Sequence, residues 1–184
     1  SVQYCNALSI HEGLTACYLT DCVDDTCTSA AYITDCTGYR LPTEAEWEHA
    51  ARYDTSSAFF SGSITEPGCV EEDESLSPVG WYCANSSDLP HPVGEKLPSG
   101  WGLYDTQGNV WEWVWDYLDA YPEDAVTDYT GPNSGVERVI RGGSYSDEPA
   151  LCRSATRSSQ PPDGRGQVGL RTARTIDATS RETN

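Results

Sequence analysis

The sequence predicts an α+β domain in which most residues lie outside regular structure, and three observations carry that expectation. Helical patterning occurs twice and briefly, over 2–10 and 44–53. Strand patterning is confined to short pieces, of which 110–117 is the clearest. The stretches between them, above all 54–100 and 146–167, are rich in Ser, Gly, Pro and acid, and eight cysteines are available to staple them. A chain of 184 residues is long enough for one domain with a real core, and two full domains are not expected.

Val2, Cys5 and Leu8 fall at helical spacing and make a first helix that ends near Gly13. It starts abruptly, with no cap before it, which suggests a fragment of a longer precursor. From there to Cys36 the chain is polar, with β-like pieces at 16–19 and 31–33. Thr43 and Glu46 form a capping box behind Pro42, and Trp47, Ala50 and Ala51 line one apolar face, so a helix is expected over 44–53. His49 on that helix reads as a packing or surface residue. In the long loop that follows, the acidic run 71–74 reads as solvated, and 78–83 as a short strand.

The stretch 101–117 holds four of the six tryptophans. After Gly108 its period is two, with Trp111, Trp113, Trp115 and Tyr117 on one side and Val110, Glu112, Val114 and Asp116 on the other. The three indoles are expected to bury a large apolar area as core. Glu112 and Asp116 on the opposite face then need partners, because a buried carboxylate must be paired, hydrogen-bonded or bound to a cation. Asp105, Asn109 and Glu112 form a cluster of hard oxygen donors around the tight turn at Gly108. Residues 137–145 read as a strand ending in a Gly-Gly turn, 146–167 as irregular and polar, 168–173 as a last strand, and 175–184 as a polar tail.

With 29 acidic and 11 basic residues, the formal charge of −18 argues against nucleic acid and anionic membrane as partners. No apolar run is long enough to enter a bilayer. Cys22 and Cys27 are not spaced for zinc and no His stands near them, so disulfides in an oxidising compartment (extracellular, periplasmic or cell-surface) are the better reading. Eight thiols allow 105 pairings, and Cys22–Cys27 and Cys69–Cys83 are the plausible local ones.

Five blocks carry a resemblance. Gly38-Tyr-Arg-Leu-Pro-Thr-Glu-Ala-Glu-Trp-Glu48, Trp101-Gly-Leu-Tyr-Asp105, Gly108-Asn-Val-Trp-Glu-Trp113, Arg138-Val-Ile-Arg-Gly-Gly-Ser-Tyr145 and Gly169-Leu-Arg171 occur in that order and resemble the formylglycine-generating enzyme (sulfatase-modifying factor) family. The resemblance spans one domain over 1–174, without the N-terminal strands usual in the family. It implies a C-type-lectin-like fold with a small antiparallel sheet. It also implies a structural calcium held by the side chains of Asp105 and Glu112 and the carbonyls of Gly108 and Val110. The alternative for Glu112 is that it caps backbone amides or pairs with an arginine.

The family's enzymes oxidise a sulfatase cysteine to formylglycine, using two cysteines that hold copper(I), a soft ion suited to thiolates. Here the first of those positions falls on Asp147 and the second near Pro149. Cys152 fits neither and reads as a disulfide-bonded or buried structural residue, with Cys83 as one conceivable partner. Many bacterial members of the family share the Cys152-Arg-Ser-Ala155 pattern and lack the pair. No copper is therefore expected, and a non-catalytic binding module is the favoured reading. Its expected recognition face comprises Trp111, Ser144, Tyr145, Asp147, Arg153, Arg157 and Arg165, with a protein or glycan ligand, or the chain's own missing N-terminal segment, as partner. The same fold displays hypervariable residues in retroelement-diversified ligand-binding proteins. The competing readings are an iron-dependent oxidase or hydroxylase, disfavoured because His11, His49 and His91 lie in unrelated segments, and a structural subunit of an extracellular assembly.

Overall fold

A computed structural model describes residues 1–23, 26–164, 166 and 168–175, and the side chains of 22–28 lie outside that description. The expected tail, from residue 176 on, lies outside it too. The chain divides into two compact units, Ser1–Pro42 with the residues from Leu170, and Thr43–Gly169.

The smaller unit contains α1 (Val2–His11), β1 (Tyr18–Val23), β2 (Thr26–Tyr32), β3 (Tyr39–Arg40) and β8 (Ala173–Arg174). β1 and β2 form an antiparallel hairpin paired from Tyr18↔Tyr32 to Val23↔Thr26, with a register shift between Asp21 and Cys22, longer than the two pieces expected at 16–19 and 31–33. The sequence of its Thr- and Ser-rich strands has no clear apolar period, so the backbone pairing extends beyond what the pattern marks. Asn6 fixes α1 to the hairpin, its amide donating to Tyr18 O at 2.8 Å and its Oδ1 accepting from Tyr18 N at 3.1 Å. Ser9 donates to Cys5 O and accepts from Tyr39 N, at 2.7 and 2.8 Å. Cys17 and Cys36 form a disulfide, and Cys5 is a free, buried thiol. The expected pair Cys22–Cys27 falls on residues whose side chains lie outside the described set.

The larger unit is organised by α2 (Glu44–Arg52) against a sheet of order β6-β5-β4-β7, with β4 Trp111–Tyr117, β5 Arg138–Arg141, β6 Arg157–Gln160 and β7 Val168–Leu170. The capping box forms as the sequence predicts: Glu46 N donates to Thr43 Oγ1 at 3.2 Å, and Thr43 N donates to Glu46 Oε2 at 2.9 Å. Two apolar clusters of described residues pack in this unit. One joins Trp47 and Ala51 of α2 to Val114 and Val139 of the sheet, and the other gathers Phe59, Leu76, Val79, Tyr82 and Cys152.

Four expectations need correction. The buried face of β4 is not the tryptophan side. Glu112, Val114 and Asp116 are buried toward α2, whereas Trp111, Trp115 and Tyr117 are only half-buried and Trp113 alone of the three β4 indoles is buried. Trp115 and Tyr117 instead hold the guanidinium of Arg138, at 4.1 and 4.0 Å from their ring centres. Residues 78–83 are turns with a single bridge, Trp81 to Gly108, rather than a strand. The polar segment 146–167 includes a real strand, β6, which pairs with β5 from Arg138↔Gln160 to Arg141↔Arg157. Asp73 does not belong to a solvated acidic run, for it is fully buried and its carboxylate accepts from the amides of Thr65, Glu66, Ser75 and Leu76 at 2.6–2.9 Å. Burial would raise its pKa, but these donors outweigh it and hold the carboxyl below its ordinary value.

Candidate functional site

The loop that leaves β5 through Gly142 and Gly143 brings three of the sequence-predicted residues together. Asp147 Oδ2 accepts from Trp111 Nε1 at 2.9 Å, from Ser144 N at 2.9 Å and from Ser144 Oγ at 2.6 Å. Ser146 Oγ lies 3.2 Å from Ser144 Oγ. The half-buried indole, the hydroxyls and the carboxylate thus form one hydrogen-bonded unit at the end of β5. Tyr145 is buried, its amide donating to Asn109 O at 2.8 Å.

The arginines do not join that unit through any described bond. Arg153 Nε turns back on Ala150 O at 3.2 Å. Arg157 grips Glu44 through Nε–Oε1 at 2.6 Å and Nη2–Oε2 at 2.7 Å and lies over the Tyr121 ring. Arg165 lies outside the described residues. The buried Arg141 is a structural cation: it donates to the carbonyls of Ser154, Ala155 and Thr156 and pairs with Glu48.

Cys83 is bonded to Cys69, as local spacing suggested, and so is not the partner of Cys152. Cys152 is free and wholly buried, with Sγ 3.9 Å from Ser144 O, and burial reinforced by the Asp147 charge pushes its thiol far up. A thiol held protonated and away from solvent is neither a nucleophile nor a ready metal ligand.

A second constellation surrounds Gly108. Asp105, Gly108 and Asn109 all have left-handed backbones, with φ of 55°, 81° and 64°. Gly108 is required there, because a β-carbon would fall 2.0 Å from Trp81 O. Asp105 Oδ2 accepts from Gly94 N at 2.7 Å, while its buried Oδ1 accepts no hydrogen bond from any described residue. Glu112 Oε2 accepts from the indole of Trp47 at 2.6 Å, a partner that neither sequence alternative named, and its residue stands opposite Arg141 in the β4–β5 register. Asn109 drops out of the donor cluster: its amide clamps the backbone of His91, accepting from N at 3.0 Å and donating to O at 3.1 Å. The ring of His91 is stacked on Trp81 at 3.6 Å, and His49 is exposed against Trp101. Among the described residues no three His, Cys, Asp or Glu side chains are gathered as a metal site would gather them. The calcium set expected here has only two such side chains.

The order of blocks, the sheet and the Gly-Gly loop define a family. The chain belongs to the sulfatase-modifying factor family, whose model, described as a sulfatase-modifying factor enzyme 1-like domain, matches residues 1–176. It is 40% identical over 163 residues to a formylglycine-generating enzyme of Streptomyces coelicolor, covering 78% of this chain and 49% of that protein. It is 31% identical to the chaperone protein LppX of Paenibacillus barcinonensis over 172 residues, covering 79% of this chain and 55% of that protein. Among solved structures, Treponema denticola variable protein 1 superposes with a TM-score of 0.78 at 34% identity, covering 93% of this chain and 66% of that one. The chain thus spans about half the length of the curated relatives it matches. Its fold is that of the formylglycine-generating enzymes, with few helices, small sheets and stapled loops.

Proposed function

We propose that this chain is a non-catalytic binding module on the formylglycine-generating-enzyme scaffold, stabilised by calcium and working outside the cytosol. One observation carries the reading. The position that the resemblance assigns to the first copper thiolate is Asp147, and its carboxylate is already engaged by Trp111 and Ser144. Copper(I) needs two accessible thiolates, and the nearby Cys152 is buried and strongly protonated. Where the resemblance implies a thiolate, this chain has a carboxylate hydrogen-bonded to Trp111 and Ser144. That change suits recognition of a protein or glycan, with Trp111 as the flat contact and the loop 144–147 as the polar one.

Calcium fits the Gly108 turn. A buried carboxylate oxygen with no described donor, as at Asp105 Oδ1, is satisfied by a hard cation. Asp105 and Glu112 would supply carboxylate oxygen and Gly108 and Val110 carbonyl oxygen, neutralising part of the acidic surplus where the chain bends into β4. The two disulfides among the described residues support residence in an oxidising compartment, and no described helix is long and apolar enough to cross a membrane.

The test of the non-catalytic reading is direct. The purified protein, loaded with copper(I) under oxygen, is incubated with a Cys-x-Pro-x-Arg peptide and the peptide is weighed by mass spectrometry. The expected outcome is unmodified peptide, and formylglycine would overturn the proposal.

A further inference from the structure

We propose that the exposed rings of His49, Tyr53 and Trp101 form a platform that holds a lysine side chain of a basic partner protein. Trp101 is 45% exposed and Tyr53 37%, yet neither stands alone. Tyr53 meets the Trp101 ring edge-on, with centroids 5.3 Å apart and planes at 86°, and His49 approaches the same indole at 5.2 Å and 48°. Rings from α2 and from a distant loop are therefore gathered at the surface, where burial does not account for them.

The backbone is bent to present them. Tyr53 is the C-cap of α2 and is left-handed, with φ 48° and ψ 51°, and Asp54 follows at φ 58°. Glycine or asparagine normally takes that position, and a bulky aromatic there is disfavoured. A β-carbon at Gly100 would fall 2.1 Å from Tyr53 Cζ and Oη, so a glycine lets the tyrosine ring lie across the chain beside Trp101. Strain of this kind gathers at functional sites, because the fold must compensate for it.

Charge selects the ligand. Ring faces carry the negative end of the aromatic quadrupole, and the residue that follows Tyr53 in the chain, Asp54, is an exposed acid. The nearby cation Arg52 is tied to Glu48 at 2.7–2.8 Å and offers an anion little. A chain of formal charge −18 steers basic partners toward itself and repels a phosphate-bearing headgroup. The half-buried indole of Trp81 already holds a lysine in this way, for Lys96 Nζ lies 3.8 Å from the centre of its ring.

The proposal rests on the binding-module reading only in treating the chain as a binder. The two fail separately, because the copper assay reads chemistry at the loop after Ser144, which involves none of these rings. The test is a heteronuclear NMR titration of the full chain with an end-capped Gly-Lys-Ser-Lys-Gly peptide, its Nε-acetylated twin and phosphatidylcholine vesicles. The lysine peptide is expected to shift the indole N–H signal that disappears in Trp101→Ala, and the acetylated twin to leave it unmoved. Trp101→Ala is expected to weaken binding about fivefold, the scale of one exposed cation–π contact. Tyr53→Gly, which suits the left-handed backbone and so keeps the fold, is expected to weaken it similarly. Equal binding of the acetylated peptide, binding unchanged by either variant, a shift caused by vesicles instead, or no shift at all would overturn the platform.

Discussion

Asp116 shows how far one residue's behaviour depends on its surroundings. It is 2% exposed, and its Oδ2 accepts from the first amide of α2, Glu44 N, at 2.7 Å. Burial, with the nearby Glu44 charge, outweighs that bond and raises its pKa to about 6. A carboxyl whose folded pKa lies above its unfolded one stabilises the fold at low pH, and that contribution is lost as pH rises between about 4 and about 6. Asp116→Asn keeps an acceptor for Glu44 N and removes the charge. Its unfolding free energy from urea denaturation at pH 7.5 should match or exceed that of the parent, by up to about 2 kcal/mol, with no gain at pH 4. A larger loss at pH 7.5 than at pH 4 would mean that the charge serves the helix terminus instead. Asp73 has the opposite sign, since its four amide donors hold its pKa down. Nothing within the run Glu71-Glu-Asp-Glu74 marks the residue that turns inward: the amides of Ser75 and Leu76 are local partners, but those of Thr65 and Glu66 reach Asp73 only when the loop closes.

At the scale of elements, α2 was legible because its signals are local. Thr43, Glu46 and the Trp47/Ala51 stripe act within one or two turns. Thr43→Ala should cost about 1 kcal/mol, read as a lower urea midpoint with unchanged slope, and a loss within error would show that Pro42 and packing alone set the helix start. β4 was legible as a strand but not in its orientation. Period two shows which side chains share a face, while the face that turns inward is set by what packs on it. Here α2 brings the Trp47 indole to Glu112 and its own N-terminus to Asp116, and Arg141 comes from β5 beside them, so the acidic face is the one that finds partners. The tryptophan face is left to hold Arg138 and, through Trp111, Asp147. β6 escaped notice because Arg157-Ser-Ser-Gln160 has no apolar alternation and exists as a strand through its ladder with β5.

For the whole molecule, the calcium proposal predicts that a chelator lowers the melting temperature and that added calcium restores it. Asp105→Asn should abolish this calcium response, and a melting temperature indifferent to both chelator and calcium would remove the ion from the account. The sequence by itself determined the family, the loop-rich α+β class, the capped helix and the want of a thiol pair after Ser144, because each is written in contiguous residues. Local spacing already offered Cys69–Cys83, but tertiary structure alone decided that Cys152 is a buried free thiol, that Asp147 closes on Trp111, and that Asp105 keeps one oxygen without a donor among the described residues. The grouping of His49 and Tyr53 with Trp101 belongs to the same set. The physical reason is common to all of these. Burial, pairing and charge environment depend on segments that meet only after the chain has folded, and a sequence motif carries no record of its distant neighbours.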